Sequence, residues 1–335
     1  SFSLPPYNFV FLNFLSLPTL LYILINYTHK KIISFFVGWV FGFGYFISNL
    51  YWITNSLTFD VNFKLIIPFA LILIPLFLGI FYGLVTFLSS LFNLKNKLSS
   101  VLIFSIFFGG IEFLRSFILG GFPWNLLVFS VSNNLPSLQI LSYVGTYSLN
   151  LLSITIFLLP IIFFHKYKSS AAVIFFCFGL ILVVINYSYG YFNIKNFEKK
   201  KYDKLDSVIR VVSPKVPIER FLTNQSPEKN IDELLTLSDP NKSEKKIFIF
   251  PEGIITSIYF RDLKFFKNIF KKKFNANHKV ILGINSIKEN KIYNSLVVLN
   301  SDTELLYKYN KNKLVPFGEF LPFENFFKRV GLKKI

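Results

Sequence analysis

Six long apolar runs constrain the fold of this 335-residue chain more than any other feature. A helix needs about 20 mostly apolar residues to cross the hydrocarbon core of a bilayer, and each run approaches or exceeds that length. The runs are Phe9–Tyr27, Ile32–Ile53, Leu65–Leu91, Val101–Leu119, Leu138–Phe164 and Ala171–Tyr187. They predict a polytopic α-helical membrane bundle with six transmembrane helices.

Charged residues are spread unevenly and divide the chain into two parts. Residues 1–192 contain 8 Lys or Arg and 2 acidic residues, whereas residues 193–335 contain 28 Lys or Arg and 16 acidic residues. The whole chain is 53% hydrophobic with a mean hydropathy of +0.50, which is too apolar for an ordinary soluble protein. We therefore predict a membrane domain over residues 1–192 and a water-soluble domain over residues 193–335.

Basic clusters indicate the orientation of the predicted bundle. "THKK" (28–31), "NLKNK" (93–97) and "HKYK" (165–168) follow the first, third and fifth runs. Because loops rich in Lys and Arg stay in the cytoplasm, the chain start and residues 193–335 should lie on the opposite side. The chain begins at Ser1 and contains no Met, so we expect a fragment or a processed chain.

Composition argues against nucleic-acid and metal partners. A net charge of +18 would suit a polyanion, but no zinc-ligand spacing, RNP-like sequence or glycine-rich phosphate loop accompanies it. Anionic lipid head groups explain part of this charge. Cys177 is the single cysteine, and the three histidines have no ligand-spaced partners, so we predict no nucleic-acid partner, no disulfide and no metal site.

The second part of the chain has the pattern of a layered α/β domain. Short β-type runs ("SVIRVV", "KIFIF", "KVILGI", "NSLVVLN", "ELLYKY") are accompanied by two helix-like stretches, "PEKNIDELLTL" and "SIYFRDLKFFKNIFKKKF". Apolar residues recur every three or four positions in the second stretch, which indicates a face directed at a core. They are Phe260, Leu263, Phe266, Phe270 and Phe274.

Two strand ends carry candidate functional side chains. Glu252 directly follows "KIFIF", and a rigid strand can aim such a carboxylate into a site as an acid or a base. Lys311 follows "ELLYKY", and Glu319 lies eight residues later in "LVPFGE". The alternative is that Lys311 and Lys313 are solvated charges and that the prolines only shape a turn.

The fourth apolar run contains a charged pair. Glu112 and Arg115 are spaced i,i+3, so they share a helix face and can pair. Charges at membrane depth are costly and usually face a partner or a cavity, so both a structural and a functional role are open. Trp124, after "GGFP", either anchors the chain at the interface or lines a lipid-facing groove.

The chain resembles the apolipoprotein N-acyltransferases, a membrane-embedded family of the nitrilase (carbon–nitrogen hydrolase) superfamily. "FSLPPYNF", "GWVFGFGYFISNLYWITNSL", "EFLRSFILGGFPW" and "LQILSYVGTYSLNLL" resemble its membrane blocks in order. "VIRVVSPKVPIERF" resembles the strand that opens its nitrilase domain, and "IFIFPEG" and "YNKNKLVPFGEFLPFE" resemble its two catalytic blocks. The resemblance implies an α/β nitrilase-like domain, an α-β-β-α sandwich, that is incomplete at its C-terminus.

The resemblance also implies an activity. Glu252 matches the family's general base, Lys311 the lysine that stabilises an oxyanion, and Glu319 a second active-site glutamate. The implied reaction is a ping-pong transfer of an acyl chain from a phospholipid, through a cysteine thioester, to the α-amine of a diacylglyceryl-cysteine lipoprotein. No cofactor is implied. The implied location is the bacterial cytoplasmic (inner) membrane, with the nitrilase-like domain on the periplasmic side.

Two departures from the family pattern bear on this activity. Gly253 stands where the family has Ser or Thr, and the family's nucleophilic cysteine lies beyond "PFGE", outside residues 1–335. Cys177 lies mid-span, where a thiol should stay protonated and cannot replace that nucleophile. We therefore expect a fragment that lacks the first span and the C-terminal part of the family's chain, and that is inactive by itself.

Two rival functions are consistent with part of the sequence. A membrane-tethered nitrilase-type amidase would share Glu252 and Lys311, but it would not need the "EFLR…GFPW" block. A transporter with an accessory domain would have polar or broken helices through the bundle. Apart from Glu112 and Arg115, the sequence shows no such feature.

Overall fold

The computed structural model describes residues 2–28, 30–58, 61–95, 98–118, 121–164, 170–201, 205–214, 226–315 and Glu319. The chain divides into two compact units, residues 1–200 and residues 201–335. The first, the helical unit, consists of helices and loops, and the second, the sheet unit, is built on a mixed β-sheet. This architecture confirms the predicted fold class of a helical membrane bundle followed by an α/β domain.

The helical unit contains several helices of membrane-spanning length. In chain order its described helices are α1 (Asn13–Tyr27), α2 (Lys31–Leu50), α3 (Ile67–Ser89), α4 (Ser99–Arg115), α5 (Leu135–Leu138), α6 (Leu141–Phe157), α7 (Ile161–Phe164) and α8 (Ser170–Lys199). Within the described ranges, five helical segments are long and apolar enough to cross a membrane. These are Val10–Tyr27, Lys31–Thr58, Lys64–Ser89, Leu141–Phe163 and Ser170–Lys199.

The fourth predicted span corresponds to α4, which is not one of these five segments. Its 17 residues, at about 1.5 Å each, extend over about 25 Å, somewhat less than a hydrocarbon core of about 30 Å. The number of six spans therefore stays a prediction. Helix α8 continues to Lys199, beyond the domain boundary predicted at residue 192, and that boundary also stays a prediction.

Glycines allow α2 and α3 to pack at close range. A Cβ atom added to Gly42 of α2 would lie 2.9 Å from the Cα atom of Gly79 on α3. Gly38 and Gly83 lie one turn further along the same two helices and are also closely approached. Lipid supplies no hydrophobic force between helices, so close backbone packing of this kind is what holds them together.

Helix α6 is interrupted near its start. Gly145 has φ 73° and ψ 169°, which separates the turn at Leu141–Val144 from the rest of the helix. The interruption falls at a glycine because glycine carries no Cβ and tolerates a positive φ. The break lies near the N-terminal end of the helix and leaves Thr146–Phe157 as a continuous segment.

The sheet unit has six strands among its described residues. They are β1 (Val208–Val211), β2 (Lys246–Ile249), β3 (Ile255–Tyr259), β4 (His278–Lys288), β5 (Lys291–Leu299) and β6 (Leu305–Asn310). The strand order is β1-β2-β4-β5-β6, with β3 also paired to β4. Strands β1 to β4 pair in parallel, whereas β4–β5 and β5–β6 pair antiparallel.

Helices α9 (Pro227–Leu237) and α10 (Lys267–Lys273) pack with the sheet in one hydrophobic core. The predicted apolar stripe is confirmed: four of its residues are buried in this core, and Phe260 packs against it while partly exposed. The start of the predicted helix was wrong, because Ile255–Tyr259 forms β3 and a 3-10 helix, Phe260–Phe266, precedes α10. β-Branched and aromatic residues in "IITSIY" favour the strand.

Candidate active site

The structure brings the three predicted site residues together in the sheet unit. The ammonium nitrogen Nζ of Lys311 lies 3.0 Å from Oε1 of Glu252 and 2.9 Å from Oε1 of Glu319. These residues are distant in the chain, since Glu252 precedes Lys311 by 59 positions. One lysine therefore bridges two carboxylates, although a catalytic role for them stays a prediction.

A fourth residue, Asn294, belongs to this cluster and was missed by the sequence analysis. Its side-chain Nδ2 donates to Oε1 of Glu252 at 2.6 Å and to Oε1 of Glu319 at 3.0 Å. The same two oxygens thus receive hydrogen bonds from both Asn294 and Lys311. A neutral donor shared by two carboxylates holds them near each other without adding charge.

Strand register places Lys311 beside Asn294. Ser295 of β5 lies opposite Asn310 of β6. The backbone N–H of Lys311 donates to the carbonyl of Asn294 at 2.8 Å, which extends the pairing one residue beyond β6. Residues opposite each other in a sheet present their side chains on the same face, so the ladder itself sets this part of the site.

Two glycines place Glu252. After β2, Phe250 continues the ladder by donating its N–H to the carbonyl of Ile281 at 2.9 Å. A Cβ atom added to Gly283 of β4 would lie 2.7 Å from the Cα of Glu252, closer than real Cβ atoms approach. Gly253 has φ 59°, a conformation that favours glycine. Glycine at both positions lets the Glu252 loop pass directly over β4, and a glycine within a strand such as "KVILGI" is a recognisable signal of close backbone approach.

The backbone of Val315 holds Glu319. The N–H of Val315 donates to Oε2 of Glu319 at 2.8 Å, and the N–H of Glu319 donates to the carbonyl of Val315 at 2.9 Å. One carboxylate oxygen therefore faces the backbone and the other faces Lys311. Pro316 and Gly318, which precede Glu319 in this loop, lie outside the described residues.

Charge in the site favours the ionised forms of Lys311 and Glu319. The hydrogen bond to Glu319 raises the pKa of Lys311 most, partial burial opposes it, and Glu252 adds to the increase. Burial acts to raise the pKa of Glu319, but the hydrogen bonds from Val315, Lys311 and Asn294 outweigh it and lower that pKa below its usual value. The side chains of Lys311, Glu252 and Glu319 are 30%, 62% and 24% exposed, so solvent and a ligand can reach them.

Metal-type clusters of three or more His, Cys, Asp or Glu residues are absent from the part of the chain that the structure describes. In the site itself, the two carboxylates face a lysine ammonium, which supplies the positive charge that a metal would otherwise provide. Cys177 is an exposed free cysteine on α8, in the helical unit.

The fold and the site define a class of protein: a polytopic helical membrane protein whose second unit is a mixed α/β sheet domain. That domain carries a Glu–Lys–Glu cluster formed by residues that follow β2 and β6. Comparison with known proteins makes this class more specific. Residues 1–159 match the family model described as the apolipoprotein N-acyltransferase N-terminal domain.

Curated relatives extend the match over nearly the whole chain. The chain is 26% identical to the apolipoprotein N-acyltransferase of Agrobacterium fabrum, with 99% of the chain aligned to 65% of that protein. It is 26% identical to the protein of that name in Rhizobium rhizogenes, with 99% of the chain and 66% of the relative aligned. It is 28% identical to that of Rickettsia prowazekii, over 86% of the chain and 58% of the relative. The resemblance is confirmed, and the chain spans about two thirds of the length of the first two relatives.

Proposed function

We propose that this protein transfers a fatty acyl chain from a phospholipid to the N-terminal α-amine of a diacylglyceryl-cysteine lipoprotein. The observation that carries the proposal is the bridge from the ammonium of Lys311 to Glu252 and Glu319, with Asn294 linking the two carboxylates. The printed names of the relatives support the reaction class.

Glu252 acts as the general base in both halves of the reaction. In the first half it takes the proton of a cysteine thiol while the sulfur attacks the phospholipid ester. The C–O bond breaks, a C–S bond forms, and the lysophospholipid leaves with the proton. In the second half it takes a proton from the attacking amine, the C–N bond forms, and the thiol regains the proton as the C–S bond breaks. Its 62% exposure leaves room for these exchanges.

Lys311 stabilises the oxyanion of each tetrahedral intermediate. An ammonium has three N–H donors, and among the described residues two carboxylate oxygens lie within hydrogen-bonding distance of Nζ. The third donor can then bind the negative oxygen that develops during attack. Glu319 keeps the ammonium charged and in place, because its other oxygen is held by the backbone N–H of Val315.

We assign the nucleophile to a cysteine outside residues 1–335. The one cysteine within them, Cys177, lies on the apolar helix α8, inside a segment long enough to cross a membrane, and not among the residues of the sheet-unit site. We also place the protein in the bacterial cytoplasmic membrane as a multi-pass protein, with the sheet unit on the periplasmic side. The basic clusters at 28–31, 93–97 and 165–168 support this orientation.

The test is acyl transfer by a chain extended to the full length of the relatives. Reconstituted with phospholipid carrying a labelled acyl chain, it should form a hydroxylamine-sensitive label on the protein. Addition of a diacylated lipopeptide should move that label to the peptide amine. Residues 1–335 alone should acquire no such label. Release of free fatty acid or ammonia without N-acyl product would contradict the proposal and favour the amidase.

Orientation is tested separately in intact cells that carry Cys177→Ser. Asn241→Cys should react with an impermeant thiol reagent from the periplasmic side, and Asn96→Cys should not. Labelling at position 96 alone, or at both positions, would contradict the proposed orientation.

A further inference from the structure

The charged pair of α4 is buried and fully surrounded by the helical unit. The side chains of Glu112 and Arg115 are both 0% exposed, and Nη2 of Arg115 lies 3.8 Å from Oε1 of Glu112. Glu112 accepts a hydrogen bond from the hydroxyl of Tyr82 at 2.9 Å and another from Nδ2 of Asn150. Residues of α3, α4 and α6 thus hold the carboxylate of Glu112 beneath Arg115.

Arg115 extends from this pair to the loop that follows α4. Its Nη1 donates to the carbonyl of Phe122 at 2.8 Å and to the carbonyl of Trp124 at 3.0 Å, and the N–H of Phe122 donates to the carbonyl of Arg115 at 2.9 Å. Backbone carbonyls in apolar surroundings need such partners, because no water replaces a lost hydrogen bond there. The guanidinium therefore fixes the backbone on both sides of Pro123.

We call residues 122–128 of this loop the clamped segment. Two more side chains hold it beyond Trp124. The hydroxyl of Tyr45 donates to the carbonyl of Asn125 at 2.9 Å. The side-chain oxygen of Asn150 accepts from the N–H of Val128 at 2.9 Å. Since Asn150 also donates to Glu112, the carboxylate and the far end of the clamped segment share a partner.

The clamped segment forms one wall of a large cavity within the helical unit. The cavity has a volume of about 730 Å³, and its lining is largely aromatic and apolar. Trp124 of the clamped segment faces Trp52, with ring centroids 5.3 Å apart, and both rings line the cavity. Their side chains are 51% and 39% exposed, so this wall is accessible from outside the helical unit.

We propose that Glu112 and Arg115 are positioning residues that hold Trp124 against Trp52 and so set the shape of this cavity for an alkyl chain. A buried ion pair is costly, and here its hydrogen bonds go to the loop backbone and not only to its own helix. Loss of the guanidinium frees two carbonyls, and the Trp124 ring is then no longer held at its place in the wall. The alkyl chain as ligand rests on the proposed function, whereas the clamp rests on the contacts alone.

The clamp is tested by the optical signals of the tryptophan pair. The chain has three tryptophans, so Trp39→Phe leaves tryptophan emission and tryptophan–tryptophan exciton coupling to Trp52 and Trp124. The double variant Glu112→Gln, Arg115→Met removes the clamp without leaving an unpaired buried charge. It should lose the exciton signal of the paired rings and gain acrylamide quenching, while the helix content measured from the amide I infrared band stays unchanged.

A matched control removes a buried hydrogen bond elsewhere in the same unit. Thr86→Val deletes a hydroxyl that donates to the carbonyl of Ser34 at 2.7 Å, between α2 and α3, and should leave both signals unchanged. Unchanged signals in the folded double variant would overturn the clamp. If the double variant does not fold, Tyr45→Phe decides in the same way, because it removes only the hydroxyl that holds the carbonyl of Asn125.

The ligand is tested in phosphatidylcholine vesicles whose acyl chains carry bromine at mid-chain. Bromine should quench the tryptophan pair, and Ser48→Phe, which fills part of the cavity lining, should reduce that quenching while the exciton signal persists. Equal quenching with and without the added ring would overturn the alkyl-chain assignment and leave the clamp intact. Failure of acyl transfer by the extended chain is a separate observation that bears on the proposed function alone.

Discussion

The two charged clusters of this chain each pair glutamate with a basic residue, but in opposite surroundings. Glu112 and Arg115, in the helical unit, are 0% exposed. They are hydrogen-bonded to a tyrosine, an asparagine and backbone carbonyls. Lys311, in the sheet unit, is 30% exposed and bonds mainly to two carboxylates that are themselves partly exposed. A buried charge whose partners are backbone groups usually has a structural role. A solvent-accessible charge that is bonded to other ionisable side chains is more typical of an active site.

Burial also changes what each cluster contributes to stability. Removal of one member of a fully buried pair leaves an uncompensated charge in a medium that cannot solvate it. Removal of a partly exposed partner is compensated by water, and the pair contributes little to stability. Four tests of this contrast, three pairs of substitutions and one titration, begin with the largest expected effect.

Glu112→Ala should destabilise the protein by about 3–5 kcal/mol, because Arg115 would stay buried without its acid. Glu252→Ala, at a carboxylate that is 62% exposed, should change stability by about 1 kcal/mol or less. The measurement is the free energy of unfolding of each variant, in detergent, by titration with denaturant. Equal effects of the two substitutions would remove the distinction between the clusters.

Lys311→Arg should lower acyl transfer by about 10²–10³, the usual cost of losing one oxyanion donor. A planar guanidinium keeps the charge but cannot occupy the compact position of an ammonium between two carboxylates. Lys313→Ala removes an exposed lysine two residues later and should leave the rate nearly unchanged. Rates are compared in the full-length protein at matched expression. Similar rates for both variants would indicate that "YNKNKLVPFGE" forms only a turn and has no catalytic role.

Asn294→Ala should lower acyl transfer by less than Lys311→Arg does. It removes hydrogen bonds to two charged groups, each worth about 1.5–3 kcal/mol, although Lys311 continues to hold both carboxylates. Asn312→Ala is the control, since Asn312 is exposed and its side chain donates to the hydroxyl of Tyr309 at 3.2 Å. A rate for Asn294→Ala equal to that of the control would exclude Asn294 from the site.

Titration of Glu319 gives the smallest effect. Its pKa in the folded protein is below the ordinary value of 4.5, so its ionised form contributes stability above that pH, and the contribution is lost as pH falls through the folded pKa. Lys311 has a pKa above 10.5, so its contribution is present below that pH and is lost as pH rises through the folded value. The infrared carboxylate band that disappears in Glu319→Gln should therefore have a midpoint below 4.5. A midpoint at or above 4.5 would show that Lys311 and Val315 do not hold the carboxylate in solution.

Hydropathy predicted the helical unit well, because a bilayer demands long apolar runs that are visible in any sequence. It could not predict the partners of Glu112, since Tyr82 and Asn150 lie 30 and 38 residues away and meet only when α3, α4 and α6 pack. The predicted start of the second helix was wrong for a local reason. In "IITSIY" the strand preference outweighed the helical spacing of the phenylalanines that follow.

In the site, Glu252 and Lys311 could be predicted because each follows a recognisable strand, and Glu319 because of the resemblance in its loop. Asn294 could not be predicted as a site residue, since only the strand register places this asparagine opposite Lys311. Gly283 carried a readable signal, a glycine inside a buried strand. The close approach of the Glu252 backbone to this glycine could not be predicted, because it depends on β2 and β4 being neighbours in the sheet.

The mixed pairing of the sheet has a consequence for the order in which the chain assembles. Strands β4, β5 and β6 form a meander joined by short connections, the first a two-residue turn at Glu289 and Asn290 with φ values of 51° and 60°. Strand β2 joins them in parallel across a longer stretch of chain, and such non-local pairing forms more slowly. Pulse-labelling by hydrogen exchange should thus show protection of β4–β6 before β2. Lys311 and Asn294 then meet early, and the carboxylate of Glu252 joins them only after β2 has paired with β4.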